Sequence, residues 1–192
     1  MKKIILASSS PRRIEMMKKN GFQPIIIPAD IDESLPPHIL PTDAVMYLAL
    51  KKAMAVEDFI CKNQKHNIGS VIIAADTIVY KDAIMGKPSN REDAYKMLTK
   101  IKNTDHYVAT GVAILIAGQY YKNVFYDKTQ VFCKDYTDNQ LNAYLDTDEP
   151  YDKAGAYAIQ GIFSQHIDHY VGDFDTVVGF PWKKIKGFLD TL

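Results

Sequence analysis

Short apolar runs alternate along the chain with stretches whose apolar positions recur every three or four residues, the mark of strands interleaved with amphipathic helices. Ile4 to Ala7 reads as a short buried strand. Ser10 followed by Pro11 predicts a helix start, with serine as N-cap and proline at the first helical position. Ile14 and Met17 share one face of that helix, and Asn20-Gly21 supplies its stop. FQPIIIP reads as the next strand. A proline-rich loop holding Pro36, Pro37 and Pro41 leads into a long helix capped by Thr42 or Asp43 and running to about Cys61. In it Val45, Leu48, Ala49, Lys52, Ala53, Val56, Phe59 and Ile60 keep near to helical period. SVIIAADTIVY is the most apolar run, and its lack of alternation predicts a strand buried on both faces. NREDAYKMLTKI is an Asn-capped helix and TDNQLNAYLDT a Thr-capped one. Between them, HYVATGVAILIAGQYYKNVFYDKTQVFCK reads as two long strands joined near Ala117-Gly118-Gln119. Such a hairpin makes the sheet mixed rather than purely parallel. PWKKIKGFLDTL closes the chain as a helix with Pro181 in its first turn. The expected class is α/β, a long mixed sheet with flanking helices.

Composition narrows the range of roles. The 192 residues are 47% hydrophobic and 24% charged, enough for one domain with a sizeable core and no disulfide or metal staple. Lys plus Arg and Asp plus Glu are 23 each, so the zero net charge argues against a general nucleic-acid binder. Cys61 and Cys133 form no C-x-x-C and no zinc-type spacing with histidine, and read as free thiols in a reducing compartment. His38, His66, His106, His166 and His169 show neither triad nor metal spacing. The apolar run of the opening MKKIILASSSPRR is shorter than a secretory core, and no segment approaches the ~18 apolar residues of a membrane span. The expectation is a cytoplasmic protein. There is no internal repeat and no G-x-x-x-x-G-K-[ST] or G-x-G-x-x-G motif.

Five stretches carry candidate chemistry. Ser8-Ser9-Ser10-Pro11-Arg12-Arg13 joins hydroxyls, a helix N-terminus and two arginines, all suited to phosphate. The arginines oppose the helix dipole unless an anion sits there; otherwise this is a capped helix with two solvated side chains. Asp76 breaks the most apolar strand, and an unpaired buried carboxylate is costly. It needs a strand end, a cation or a metal, or else it is satisfied by backbone donors. MGKPSN presents Lys87 from a turn, and Lys52 lies near the apolar face of the long helix; each is also an ordinary surface or snorkelling lysine. DKAGAYAIQG offers Gln160 beside glycines, either as a base-reading amide or as a tight connection. Asp30, Asp32 and Glu33 form an acidic cluster fit for a divalent ion or for capping a loop. GDFDTVVGFP reads as mainly structural.

LASSSPRR, AADTIVY, GKP, ATGVAI, TQVFC, EPYDKAGAYAIQG and GDFDTVVGFP follow one another in the order and spacing of the Maf family, which the chain resembles over nearly its whole length. The resemblance implies a single Maf-like α/β domain over residues 1–192, related to the inosine triphosphate pyrophosphatases, with two lobes around a cleft. It implies hydrolysis of a nucleoside triphosphate to the monophosphate and pyrophosphate, assisted by a divalent metal, Mg²⁺ or Mn²⁺, in what is described as a house-cleaning role. Arg12, Thr77 and Gln160 resemble the branch acting on dTTP and UTP rather than the branch acting on 7-methyl-GTP. By the same resemblance Asp76 is the proton acceptor. Ser8, Arg13, Lys52 and Lys87 are phosphate contacts, and Glu33 joins Asp76 near the metal. No nucleic-acid polymer or membrane is implied as partner, and a homodimer is expected. Ala74 before Asp76, Phe174-Asp175 and Phe180 depart from the family's usual residues without touching a proposed catalytic group. Two other functions are compatible with the residues: the same chemistry on 7-methyl-GTP or a modified purine nucleotide, and a nucleotide-binding regulator with little turnover.

Overall fold

The computed structural model describes residues 2–191. Its strands are β1 (Ile4–Leu6), β2 (Ile25–Ile26), β3 (Val71–Tyr80), β4 (Ile84–Met85), β5 (Asp105–Ile116), β6 (Lys122–Cys133) and β7 (Ile167–Val171). Its helices are α1 (Pro11–Lys19), α2 (Pro41–Asn63), α3 (Arg91–Ile101), α4 (Asp138–Leu145), α5 (Phe174–Val178) and α6 (Trp182–Leu189). Among the described residues the strands form one sheet in the order β2-β1-β3-β5-β6-β7, with β4 paired to β3. β1 is parallel to β2 and β3, whereas β3–β4 and β6–β7 are antiparallel, so the sheet is mixed as the hairpin predicts. No described helix is long and apolar enough to cross a membrane.

Several boundaries differ from expectation. Ser10 is the N-cap of α1, but its hydroxyl makes no cap bond; its own N–H donates to Ser8 Oγ at 3.2 Å. α2 starts at Pro41 after Leu40, ahead of Thr42 and Asp43, and ends at Asn63. Proline's fixed φ and missing N–H suit the first helical position, and Asp43 then sits in the first turn where the dipole favours an acid. Only Ile25–Ile26 of FQPIIIP is strand: Pro24 precedes it without a donor, the Ile27 N–H still donates to Leu6 O at 3.1 Å, and Pro28 then has no N–H to continue the pairing. Pro181 is the N-cap of α6 rather than a residue of its first turn. Asn90 caps α3 by accepting from Asp93 N–H, and Thr137 and Gln140 close a capping box on α4.

The chain divides into two compact units. The first comprises Met1–Asp76, Thr110–Asp127 and Gly179–Leu192. Within it, strand alternation sends successive side chains to opposite faces. Ile5, Ile72, Ala74, Ala113 and Leu115 pack with Ala49, Ala53, Val56 and Ile60 of α2. Leu6, Val71, Ile73, Ala75, Val112 and Ile114 pack with Met17 of α1 and with Trp182 and Ile185 of α6. α2 lies so close to β5 that a Cβ on Gly111 would come within 2.3 Å of the Val45 carbonyl carbon and oxygen.

The second unit comprises Thr77–Ala109 and Lys128–Val178. Its core is aromatic: fully buried Phe163 lies 5.0 Å from Tyr144, 5.2 Å from Tyr157 and 5.2 Å from His166 between ring centroids. Tyr157 Oη sits 2.6 Å from Nε2 of buried His106. Burial pushes the His106 pKa down to about 4, with Lys81 acting in the same direction and Asp105 opposing. The unfolded chain therefore binds this proton more readily than the folded one. Stability is fully present above about pH 6.5 and is lost as pH falls toward about 4, by about 3 kcal/mol from this group. Denaturant titrations at pH 7 and pH 4.5 are expected to show that loss, and His106→Gln to flatten it; equal slopes in the two proteins would remove His106 as the cause.

Candidate active site

β1 stops at Leu6, while its neighbour β3 continues to Tyr80. The Ala7 N–H to Ile73 carbonyl bond, 2.8 Å, comes where β1 ends. Two residues on, the Ala75 carbonyl points to the same side and needs another donor. Arg13 supplies it: Nη1 donates to Ala75 O at 2.8 Å and to Ser8 Oγ at 3.2 Å, while Nε donates to Gly179 O at 2.9 Å. One half-buried guanidinium thus ties the first turn of α1 to the strand position before Asp76 and to the turn before α6. Removal from water lowers the Arg13 pKa; the Asp76 and Glu33 carboxylates oppose that effect and the Arg12 charge adds to it.

Asp76 points to the α2 face, the face of Ile72 and Ala74. Lys52 stands on the same stripe of α2 as Ala49, Ala53 and Val56, which lays its stem on the core. Its ammonium does not reach out to water. It lies 2.6 Å from Asp76 Oδ1 and 2.6 Å from Glu33 Oε1, with 14% of the lysine side chain and 12% of the aspartate side chain exposed. The buried carboxylate is therefore compensated by Lys52, with Arg13 nearby. Of the acidic cluster, Glu33 alone makes this pairing: Asp32 turns back on Ser34, accepting from its N–H at 2.9 Å and its hydroxyl at 2.5 Å.

Ser8, Arg13, Lys52, Asp76 and Glu33 are thus brought together within the first unit, with Arg12 close enough to Arg13 to shift its pKa. Thr77, Lys87 and Gln160 belong to the second unit. Thr77 leaves β3 on the face opposite Asp76, since neighbours in a strand alternate. On that face Gly155, at φ +71, lies against Val79, where a Cβ would come 2.8 Å from Cγ1. Gly155 N–H also donates to Gly86 O at 3.0 Å, which ties the turn of exposed Lys87 to the segment leading to exposed Gln160.

Residues 3–192 match the family described as Maf-like protein. The chain belongs to the Maf family. A Caldicellulosiruptor bescii protein named dTTP/UTP pyrophosphatase is 44% identical over 193 residues, covering 100% of this chain and 96% of the relative. A Caldicellulosiruptor saccharolyticus protein of the same name matches to the same extent, 44% over 193 residues with 100% and 96% covered. A Bacillus cereus protein, also named dTTP/UTP pyrophosphatase, is 40% identical over 186 residues, covering 96% and 87%. Among solved structures, a Vibrio cholerae protein aligns with a TM-score of 0.35 at 9% identity over 77% of this chain and 72% of that one, too loose a likeness to bear on function.

In this Maf chain no described group of three or more His, Cys, Asp or Glu side chains is arranged to hold a metal ion. The donors present nevertheless suit one kind of ion. Asp76 and Glu33 converge on a single cationic point, and one or two carboxylates completed by phosphate oxygens are what Mg²⁺ or Mn²⁺ accepts alongside a nucleotide. Two features leave little mark in the residue pattern. The Gly179 carbonyl anchors Arg13 from the GDFDTVVGFP stretch, and no side-chain pattern marks a backbone acceptor. Glu149 closes on Gly161, and only the glycine directly after Gln160 hinted at that crowding.

Proposed function

We propose that this Maf protein hydrolyses a nucleoside triphosphate, dTTP and UTP in preference, to the monophosphate and pyrophosphate. The observation that carries the reading is Asp76 at 12% side-chain exposure, paired with Lys52 and close to Arg13. Pure anion binding gains nothing from a carboxylate among cations, whereas water activation needs one. The full-length relatives named dTTP/UTP pyrophosphatase support the substrate class.

In this mechanism Asp76 takes a proton from water as the water oxygen attacks the α-phosphorus. The bond from that phosphorus to the α–β bridging oxygen breaks, and pyrophosphate leaves. Lys52 exchanges its carboxylate partners for phosphate oxygens as the nucleotide enters. Ser8, the N-terminus of α1, Arg12, Arg13 and Lys87 neutralise and orient the triphosphate. Asp76 and Glu33 would hold a Mg²⁺ or Mn²⁺ ion, which supplies further neutralisation of phosphate charge when bound. Arg12, Thr77 and Gln160 sort the base, since a wrong base leaves polar groups without partners. A cytoplasmic homodimer belongs to the same proposal.

Pyrophosphate release measured with dTTP, UTP, CTP, ATP, GTP and 7-methyl-GTP, each with Mg²⁺ and Mn²⁺, tests the reading. The expected result is metal-dependent turnover with the highest kcat/KM on dTTP and UTP. Saturable binding without product would replace the enzyme with a regulator, and preference for a purine nucleotide would replace the substrate.

A further inference from the structure

Gln160 is exposed on a loop that begins a short 3₁₀ segment, Ile162–His166. Glu149, eleven residues before Gln160, belongs to another such turn, Glu149–Asp152. Its carboxylate gathers three donors: Ile162 N–H on Oε2 at 2.8 Å, Phe163 N–H on Oε1 at 3.3 Å, and the Tyr144 hydroxyl on Oε1 at 3.1 Å. The approach is so close that a Cβ on Gly161 would lie 2.0 Å from Oε2 and 2.3 Å from both Cδ and Oε1. Position 161 therefore admits glycine alone while the carboxylate stays in place. Burial pushes the Tyr144 phenol well up and the adjacent Glu149 charge adds to it, so the phenol stays a donor. All these groups lie in the second unit, and none belongs to the acid–cation cluster around Asp76.

We propose that Glu149 is a positioning residue for base selection: its carboxylate fixes the loop directly after Gly161, at Ile162 and Phe163, and so sets where the Gln160 amide, two residues before Ile162, is presented. The inference rests on Gln160 being a base contact, as in the proposed function. Glutamine at 149 keeps the size but turns one acceptor oxygen into a donor group. At least one of the three donors then faces another donor, and the Gln160 backbone is released from its present geometry.

Calorimetric binding of two probes separates the possibilities. α,β-Imido-dTTP carries base and tail and cannot be cleaved at the reacting bond; inorganic tripolyphosphate carries the tail alone. Against the parent protein, Glu149→Gln is expected to weaken the imido nucleotide about tenfold and tripolyphosphate by less than about twofold. Gln160→Ala should show the same split, and the double variant should bind no more weakly than Gln160→Ala, because one residue acts through the other. Tyr144→Phe, which leaves the two backbone bonds to Glu149 intact, should show a smaller split, about two- to threefold, and carries the test should Glu149→Gln fail to fold. Equal losses on both probes, losses that add in the double variant, or no split in Tyr144→Phe would each overturn the positioning role while leaving the proposed function standing. A parent protein that binds neither probe would overturn both.

Discussion

Asp76→Asn is expected to fold as the parent protein does and to lose at least about 10²-fold in kcat on dTTP, the usual scale for a general base. Asparagine is nearly isosteric and its side-chain oxygen can still accept from Lys52, so the 2.6 Å contact survives in kind while the charge and the basicity go. Lys52 keeps Glu33 at 2.6 Å, which spares the site an orphaned ammonium. The checks are single-turnover and steady-state kinetics beside circular dichroism and a melting curve. Turnover within about threefold of the parent would remove Asp76 as base and shift attention to another route for the proton. A variant that melts far earlier would mean instead that the carboxylate chiefly offsets the cost of burying two cations.

Gly111→Ala should be the most damaging change outside the acid–cation cluster. A Cβ there meets the Val45 carbonyl carbon at 2.3 Å, its oxygen at 2.3 Å and the Met46 nitrogen at 2.6 Å. These are backbone atoms of α2, which cannot rotate aside as a side chain would, so helix and strand must part by most of an ångström. The cost should reach the upper end of overpacking effects, about 3 kcal/mol, or a melting temperature lower by about 6–12 °C in a chain of this size. Because α2 carries Lys52, the same displacement should lower kcat as well. Differential scanning calorimetry and dTTP turnover check both halves, and a shift below about 2 °C would show that the two elements have slack between them.

Much of this architecture can be read from periodicity. The ten residues of β3, the hairpin around Gly118, the Asn90 cap and the Thr137 capping box each have a local cause in the chain, and local causes are visible in sequence. The candidate site was legible at Asp76 because a carboxylate inside VIIAADTIVY is an anomaly, and at Ser8 through Arg13 because strand, hydroxyls, proline and arginines follow in one line. Lys52 was ambiguous: on the helical stripe it reads as a snorkelling side chain, and its link to Asp76 joins residues 24 positions apart. Arg13 bound to Gly179 spans 166 positions and ends on a carbonyl every residue possesses, so no residue type announces it. Glu149 likewise acts through backbone N–H groups. β2 is shorter than three consecutive isoleucines suggest, because prolines stand on both sides of them.

The boundary between the two compact units is crossed by the polypeptide at 76/77, 109/110, 127/128 and 178/179. Each unit is consequently a patchwork of distant stretches, and no single cut yields either one whole. Expression of a fragment containing only one half is therefore a poor route to dissecting this protein. Phe180, Trp182 and Ile185 complete the packing around Met17, so a product that stops before Gly179 would expose that apolar surface to aggregation.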